Sequence, residues 1–259
     1  IKSNLVEYEM ETLENSFNFN SETESALFGL RASAYETLKD DYNDKYEYIL
    51  PEIIYDKNLF ANNKYGNLDF TSNLEVHNYD TNKFTKFLVN DLDWKFRTNR
   101  FGPGFKGNLI GHLKNVNYEA KNTSQYKESP ESEFFGALGY LTKIDLFKQN
   151  ELNNFLLTPK FLLRYAPGNM RKNEDNLSLD NKNIFTLDRL NSFNNFESGL
   201  SATAGFDYEV KSSTKQFNFS LGQIINKNEN NKMPDGSSLN EKMSDLIGES
   251  SFKYNDKIK

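Results

Sequence analysis

The chain has 259 residues, a formal net charge of −6 and no cysteine. The lack of cysteine excludes disulfide scaffolds and cysteine-based zinc sites within this chain, and the acidic balance argues against a nucleic-acid partner, because phosphate binding requires a basic surface. Two histidines at separate positions do not make a metal site, so no metal and no cofactor are predicted.

Low hydropathy combined with many aromatic residues is the main compositional signal. Mean hydropathy is −0.75, yet the chain contains 22 Phe and 14 Tyr. Disordered chains are usually poor in aromatic residues, and no run approaches the roughly 18–20 apolar residues of a membrane helix. This combination is typical of a membrane β-barrel, in which only every second strand residue faces lipid.

Alternation of apolar and polar residues predicts about eleven β-strands, with turn residues between them. In chain order, the predicted strands are residues 12–20, 24–38, 46–55, 67–79, 84–96, 105–118, 134–146, 155–165, 199–210, 217–226 and 246–254. Each is near or above the ~10 residues that cross a bilayer at a tilt. The predicted fold class is all-β, an antiparallel transmembrane β-barrel, with residues 1–259 forming part of one domain.

The predicted connections alternate in length through the second half of the chain. Long connections at 119–132, 166–194 and 227–244 alternate with short ones at 148–153 and 211–216. An outer-membrane barrel has short periplasmic turns and long outer loops, whereas a soluble sandwich has no reason to alternate. The same parity places 39–45 and 80–82 on the outer side, but both are short, so the alternation fails in the first half.

Aromatic, proline and glycine residues add local expectations. Aromatic residues cluster near the predicted strand ends, which favours girdles at the two membrane interfaces over a general preference of aromatic residues for strands. Pro51 and Pro159 lie inside strand patterns, and each predicts a bulge or a strand start, because proline lacks a ladder donor. Gly136 and Gly139 suit a bent wall or close packing.

Several stretches resemble one family of outer-membrane proteins. In chain order they are RASAY at 31–35 with LPEI at 50–53, NDLDW at 90–94, LTPKFLLRYAPGN at 157–169, SLGQ at 220–223 and MPDGSSLNEKMSDLIGE at 233–249. They occur in the family's order and span most of the chain. The chain is therefore similar to the central part of the C-terminal β-barrel of the lipopolysaccharide-assembly family, LptD or OstA.

The resemblance implies a transport function in the outer membrane. Family members insert lipopolysaccharide into the outer leaflet, so the expected activity is passage and not enzymatic catalysis. The implied partners are lipopolysaccharide, a plug lipoprotein of the LptE type and the periplasmic lipopolysaccharide-transport bridge. The family also carries a periplasmic jelly-roll domain before the barrel. Because the chain starts at Ile1 without a recognisable jelly-roll portion, it is expected to be a fragment from the middle of the barrel wall.

Three basic residues fall on polar strand faces and are candidate lumen or lipopolysaccharide contacts: Lys143, Lys160 and Arg164. Arginine and lysine bind phosphate groups by charge-assisted hydrogen bonds. The favoured alternative is an ion network within the lumen, because acidic residues fall on polar faces as well. Those acidic residues are Asp145, Asp207 and Glu209.

Polar residues in or beside the last long connection are candidate loop contacts: Ser237, Ser238, Asn240, Glu241, Lys242 and Asp245. The segment either folds inward to contact the plug or the transported sugar, or forms a solvated outer loop closed by its own hydrogen bonds. The sequence leaves both alternatives open.

Rival functions make different demands on the sequence. A general porin or outer-membrane receptor requires a constriction loop or an N-terminal plug domain, and a soluble β-rich surface-binding protein requires an apolar face directed into a core. A barrel phospholipase requires a serine paired with a histidine. His112 lies in mid-strand, but no companion serine is indicated by spacing, so no catalytic residue is predicted.

Overall fold

The computed structural model describes residues 11–39, 46–80, 82–172 and 179–254. Thirteen strands account for most of these residues: β1 (Thr12–Glu22), β2 (Ala26–Thr37), β3 (Tyr46–Asn62), β4 (Gly66–Tyr79), β5 (Lys83–Lys95), β6 (Asn99–Phe101), β7 (Phe105–Lys121), β8 (Glu131–Ile144), β9 (Leu146–Gln149), β10 (Asn154–Ala166), β11 (Gly199–Lys211), β12 (Lys215–Asn226) and β13 (Ile247–Tyr254). A single 3-10 turn, Asp235–Ser237, lies between β12 and β13. In the described part of the chain, no helix is long and apolar enough to cross a membrane.

The strands pair in chain order. The sheet runs β1-β2-β3-β4-β5-β7-β8-β10-β11-β12-β13, with β6 beside β7 and β9 beside β10. The pairing is antiparallel, as in β1–β2, β10–β11 and β12–β13. The eleven strands of this path correspond to the eleven predicted from alternation, and the all-β antiparallel prediction is confirmed.

Three strand predictions differ from the structure in detail. The predicted strand 84–96 is followed by the short β6, and the predicted strand 134–146 divides into β8 and β9 at Asp145. β3 continues to Asn62, beyond the predicted end at Tyr55. Its extension uses polar side chains, since Asn58 Nδ2 donates to Asp69 Oδ1 at 2.7 Å. Strand pairing through polar side chains does not require apolar and polar residues to alternate, so the sequence pattern did not indicate this extension.

Pro51 lies at a bulge, as predicted, whereas Pro159 lies in mid-strand at a break between two ladders and not at a bulge or a strand start. In the β2–β3 ladder, Arg31 pairs with Glu52 and Ser33 with Ile49, so a bulge places Pro51 opposite Ala32. Pro159 lies where the partner of β10 changes, because residues 160–165 pair with β8 and residues 154–157 pair with β9. The donor that proline lacks therefore falls in the gap between two ladders.

The lengths of the connections follow the predicted alternation in the second half of the chain, and the connection 80–82 in the first half is as short as predicted. Short turns at 63–65, 102–104, 150–153 and 212–214 alternate with connections that grow to residues 122–130, 167–198 and 227–246. The turn 212–214 is closed by its own hydrogen bonds, since the backbone N–H of Lys215 donates to Ser212 Oγ at 3.1 Å. Of the predicted loop 39–45, all but Lys39 lies outside the described residues, and so does Thr81 of the turn 80–82.

The chain divides into two compact units. Unit 1 comprises Ile1–Leu59, Asp69–Leu92 and Lys114–Phe134, and unit 2 comprises Phe60–Leu68, Asp93–Leu113 and Phe135–Lys259. Within unit 1, the connection 122–130 packs Tyr126 against Phe87 and Tyr118, with ring centroids 5.1 and 5.5 Å apart. The assignment of residues 1–259 to one barrel domain stays a prediction.

The buried apolar residues of unit 2 lie largely in its two long connections. One cluster joins residues from both connections to Ile224 of β12: Met170, Ile184, Leu190, Ile224, Met233 and Leu239. A second cluster joins Leu187 and Phe196 of the connection 167–198 to Ala137 and Ala166 of the strands. The long connections therefore pack onto one face of the sheet, and the core lies between them and the strands.

Candidate functional site

Strand β10 exposes three large apolar side chains on one face and buries Arg164 together with Leu162 on the other. Phe161, Leu163 and Tyr165 are 44%, 49% and 54% exposed, whereas the intervening Arg164 is 1% exposed. In a water-soluble protein, charged side chains are almost never fully buried and large apolar side chains rarely form the exposed face of a strand. The two faces of β10 are therefore inverted relative to those of a soluble sheet.

Strand β8 also exposes large apolar side chains, and the residues it buries are small. Leu138 is 57% exposed, whereas Ala137 is 4% exposed and Gly139 is buried. The cross-strand register places Leu138 beside Tyr165, so the exposed apolar side chains of β8 and β10 share one face. We call this the outward face of unit 2, and the face under the long connections its inward face.

Glycine residues on the inward face leave space for side chains of the connection 167–198. A Cβ at Gly139 would lie 2.6 Å from Leu187 Cδ2, one at Gly205 would lie 3.1 Å from Phe185 Cζ, and one at Gly222 would lie 3.0 Å from Ile184 Cδ1. Three strands therefore present gaps to consecutive parts of one connection. This is the close packing that the sequence predicts at Gly139.

A buried ion network fastens the same connection to β10 and β11. Arg189 binds the carboxylate of Glu197 through two donors, with Nε to Oε2 at 2.7 Å, and also donates to Ser201 Oγ at 2.9 Å. Arg164 donates to the backbone oxygens of Leu187 and Glu197, the former at 2.6 Å. Its Nη1 lies 3.6 Å from Glu197 Oε1. These are charge-assisted, bidentate contacts of the strong kind.

Phe196 extends the network to β7. Its ring stacks on the His112 ring at 4.9 Å with an interplanar angle of 15°, and the Arg164 guanidinium lies 5.6 Å from its centroid. His112 Nδ1 is hydrogen-bonded to Asp93 Oδ1 at 2.6 Å. His112 therefore holds the connection against the sheet through an aromatic contact.

The charge of Glu197 is maintained by its two arginine partners. Burial by itself raises the pKa of this carboxyl, but the charges of Arg189 and Arg164 and the hydrogen bond from Arg189 outweigh burial and hold the pKa below its ordinary value. The carboxylate consequently stays ionised at neutral pH.

The three predicted basic contacts occupy different environments. Lys160 is paired with Asp207 at 2.8 Å, and its ammonium lies 4.5 Å from the Phe185 ring centroid. Arg164 is buried and donates through Nε and Nη2 to two backbone oxygens, and its Nη1 lies 3.6 Å from Glu197 Oε1 without a hydrogen bond between them. Lys143 pairs with Lys160 in the β8–β10 register and is half-buried. Lys160 and Arg164 both form ion pairs within the chain, and the assignment of these residues to a lumen network stays a prediction.

Of the three acidic residues that the sequence placed on polar faces, two form ion pairs and the third accepts a hydrogen bond from an amide. Asp207 pairs with Lys160 and also accepts from Ser220 Oγ at 2.8 Å. Asp145 pairs with Lys106 at 2.5 Å, a lysine that the alternation did not single out. Glu209 accepts a hydrogen bond from Gln216 at 3.3 Å.

The segment from Ser237 to Asp245 is tied down by hydrogen bonds of its own. Ser237 is buried and donates to the Pro234 carbonyl at 2.6 Å, and the Asp245 N–H donates to Ser238 Oγ at 2.8 Å. Asn226 Nδ2 donates to the Glu241 carbonyl at 2.8 Å. Asn240 is half-buried, whereas Glu241, Lys242 and Asp245 are exposed. The exposed members of this set remain candidate contacts.

Unit 1 also places ion pairs on the face opposite its exposed aromatic residues. Arg31 lies 2.7 Å from Glu14 and 3.9 Å from Glu52, and His77 Nε2 lies 2.6 Å from Glu47. Phe17 and Phe19 of β1 have the opposite parity to Glu14 and are exposed. On β1, apolar and charged side chains therefore lie on opposite faces, and both faces of this strand are exposed.

The comparison with protein families decides between kinds of β-sheet protein. A family model described as LPS transport system D, LptD, matches residues 2–259. The chain belongs to the LptD family. LptD proteins are outer-membrane β-barrels that act in lipopolysaccharide transport, and the antiparallel sheet with exposed apolar faces agrees with that fold. No curated protein matches the chain.

Sequence reasoning missed several residues of this LptD chain that hold the inward face together. Arg189, Phe196 and Glu197 lie in an irregular connection, where no period indicates which side chains point inward. Gly205 and Gly222 gave no signal beyond their position within strands. The composition of the connection was the one available hint, because Phe185, Leu187, Leu190 and Phe196 make it unusually apolar for a solvated loop.

Proposed function

We propose that this chain forms part of the wall of an outer-membrane translocon that inserts lipopolysaccharide into the outer leaflet. The chain would contribute passage and not covalent chemistry, with a lipid-facing outward side and an inward side that shields polar groups. Family membership supports the transport role, and the step at the outer leaflet is our proposal.

The inverted faces of the sheet are the observation that supports it most directly. Leu138, Leu163 and Tyr165 are exposed, while Arg164 and Arg189 are buried and paired. Exposed apolar strand faces are stable in hydrocarbon, and polar groups are stable on the side away from lipid. A glycolipid needs the same separation, because its acyl chains and its sugar head prefer opposite environments.

The proposed partners are lipopolysaccharide, a plug lipoprotein of the LptE type and the periplasmic lipopolysaccharide-transport bridge. Among the basic candidates, Lys160 and Arg164 are already paired within the chain, which leaves Lys143 as the better candidate for a lipopolysaccharide phosphate. For the plug, the exposed Glu241, Lys242 and Asp245 are the better candidates of their segment.

Depletion of the protein that carries this chain tests the proposal. Newly made lipopolysaccharide is pulse-labelled, and its appearance at the cell surface is followed with a membrane-impermeant modifying enzyme. We expect surface appearance to stop while synthesis continues, and to recover with a plasmid copy. Unchanged surface appearance after depletion would contradict the proposal.

The same experiment distinguishes the general porin or receptor alternative. Depletion of a porin would leave lipopolysaccharide delivery intact and reduce the uptake of small polar solutes. Measuring solute uptake in the same depleted cells therefore separates the two functions, because each predicts loss of one readout and retention of the other.

A further inference from the structure

A polar cavity of about 440 Å³ opens between the two long connections of unit 2. It lies where β10 ends and β11 begins, and it is bounded by residues 165–169, 197–201 and 226–233 together with Leu239. Cavities of about 300–1,000 Å³ are the usual size for small-molecule sites. The cavity is thus large enough for a ligand of several functional groups.

The cavity is built on a fixed frame. Its apolar lining includes Met233 and Leu239, which are buried in the core between the connections. Asn226 Nδ2 donates to the Leu239 and Glu241 carbonyls at 3.2 and 2.8 Å, and the Asn230 N–H donates to the Asn240 carbonyl at 2.9 Å. These contacts hold the connection 227–246 in place, so the cavity is preformed.

Six polar side chains of the lining remain available to a ligand: Asn169, Ser198, Lys227, Asn228, Glu229 and Lys232. Within the described part of the chain, none of these side chains makes a hydrogen bond or an ion pair. Two amides supply both donors and acceptors, and the lining also carries two ammonium groups and one carboxylate. The remaining acidic lining residue, Glu197, is neutralised by Arg189.

This chemistry selects among ligand classes. An acyl chain would leave the charged and amide groups buried without partners, which is unfavourable. A divalent cation would face two ammonium groups and one free carboxylate, whereas such ions prefer several oxygen ligands. A hydroxyl-rich ligand with an anionic group satisfies the amides and the lysines together.

We propose that this cavity binds a phosphorylated sugar unit of the glycolipid head group. Lys227 and Lys232 bind the phosphate, and Asn169 and Asn228 hydrogen-bond the sugar hydroxyls. The inference rests on the proposed function, since it places part of the lipopolysaccharide head at a defined position on the wall.

Binding of a soluble probe to the full-length protein in detergent tests the inference. The probe is the phosphorylated core oligosaccharide released from lipopolysaccharide by complete deacylation, measured by isothermal titration calorimetry. Lys227→Ala combined with Lys232→Ala is expected to weaken binding about tenfold or more, equivalent to at least one charge-assisted contact. Asn169→Ala combined with Asn228→Ala is expected to weaken binding several-fold.

The matched control is Lys211→Ala combined with Lys215→Ala, which removes the same charge beside the turn 212–214. Its affinity should equal that of the wild type, and circular dichroism should show that all variants are folded. Equal loss in the control and the cavity variant would assign the effect to net charge and overturn the inference.

Two further probes define the ligand. Dephosphorylated oligosaccharide should bind wild-type protein more weakly than the phosphorylated form, and inorganic phosphate alone should compete poorly. Phosphate that competes as well as the oligosaccharide would reduce the site to an anion site and remove the sugar from the proposal. If wild-type protein binds no oligosaccharide yet delivers lipopolysaccharide to the surface, this inference fails while the proposed function stands.

Discussion

At the residue scale, Glu197 is the acidic centre that joins two buried arginines. Arg189 binds it through two donors and Arg164 lies 3.6 Å from it, all three side chains being buried. Removing one partner of a buried ion pair leaves an uncompensated charge, whereas the intact pair offsets its own desolvation. The network therefore makes the docking of the connection 167–198 sensitive to single substitutions.

Glu197→Gln is expected to lower the free energy of unfolding by about 3–5 kcal/mol, the usual effect of breaking a buried pair. Chemical denaturation in detergent measures the loss, and hydrogen exchange should locate it in residues 179–198. Glu151→Gln, in the exposed turn 150–153, is the matched control and should unfold like the wild type. Equal stability of the two variants would contradict the role assigned to Glu197.

The same carboxyl predicts a pH dependence. Because the folded-state pKa of Glu197 is lowered, its contribution is complete above the ordinary carboxyl value of 4.5 and is lost as the pH falls from there through the lowered pKa. The protection of residues 187–197 against hydrogen exchange, relative to the unfolded chain at the same pH, should therefore be constant near neutrality and should fall in acid. In Glu197→Gln, the acid-dependent opening should be absent.

At the element scale, the fit between the connection 167–198 and the strands depends on glycine. Gly139, Gly205 and Gly222 face Leu187, Phe185 and Ile184, so successive side chains occupy gaps in β8, β11 and β12. At Gly205 a Cβ would also lie 2.3 Å from the Leu221 carbonyl oxygen. A side chain at any of these positions displaces the connection or the neighbouring strand.

Gly139→Ala is expected to destabilise the protein by about 1–3 kcal/mol, as overpacking of a core usually does. The new Cβ would meet the end of the Leu187 side chain, so Leu187→Ala should relieve the clash. The double variant should then be more stable than the sum of the single effects predicts, by more than about 0.5 kcal/mol. Gly236→Ala is the control, because nothing lies within 4 Å of its Cβ position. Strict additivity would contradict the contact.

The strands of this fold were predictable from sequence, whereas the site was not. A period of two determines which side chains share a face, so the sequence alone indicates the positions and the two faces of β10 and β11. Arg164 was placed on the inward face for the same reason. Its partners Arg189 and Glu197 lie in an irregular connection, where side-chain direction depends on tertiary packing and no local period reports it. Pro51 and Pro159 were informative because proline excludes a ladder donor wherever it occurs.

At the scale of the whole molecule, a charge introduced on either face of the sheet tests which of the two faces contacts lipid. Leu163→Lys places a charge on the outward face of β10, and we expect insertion into lipid vesicles to weaken by up to about 2–4 kcal/mol, the cost at the bilayer midplane. Ser251→Lys adds the same charge to β13 on the face of Ser220, its inward face, and should insert like the wild type. Weaker insertion of both variants to the same degree would contradict the assignment of the faces.

The plug partner provides the last prediction, because it depends on an exposed part of an otherwise anchored segment. Asn226 donates to the Glu241 carbonyl and the Ile224 N–H donates to Ser244 Oγ, which holds this segment against β12, so Glu241 and Lys242 project from a defined position. Glu241→Ala combined with Lys242→Ala should reduce co-purification of the plug lipoprotein from detergent-extracted outer membranes without reducing the amount of folded barrel. Glu151→Ala combined with Lys148→Ala, beside the turn 150–153, removes the same two charges and should retain the plug. Full retention in both variants would remove Glu241 and Lys242 from the contact surface, and loss in both would show that the plug responds to surface charge in general.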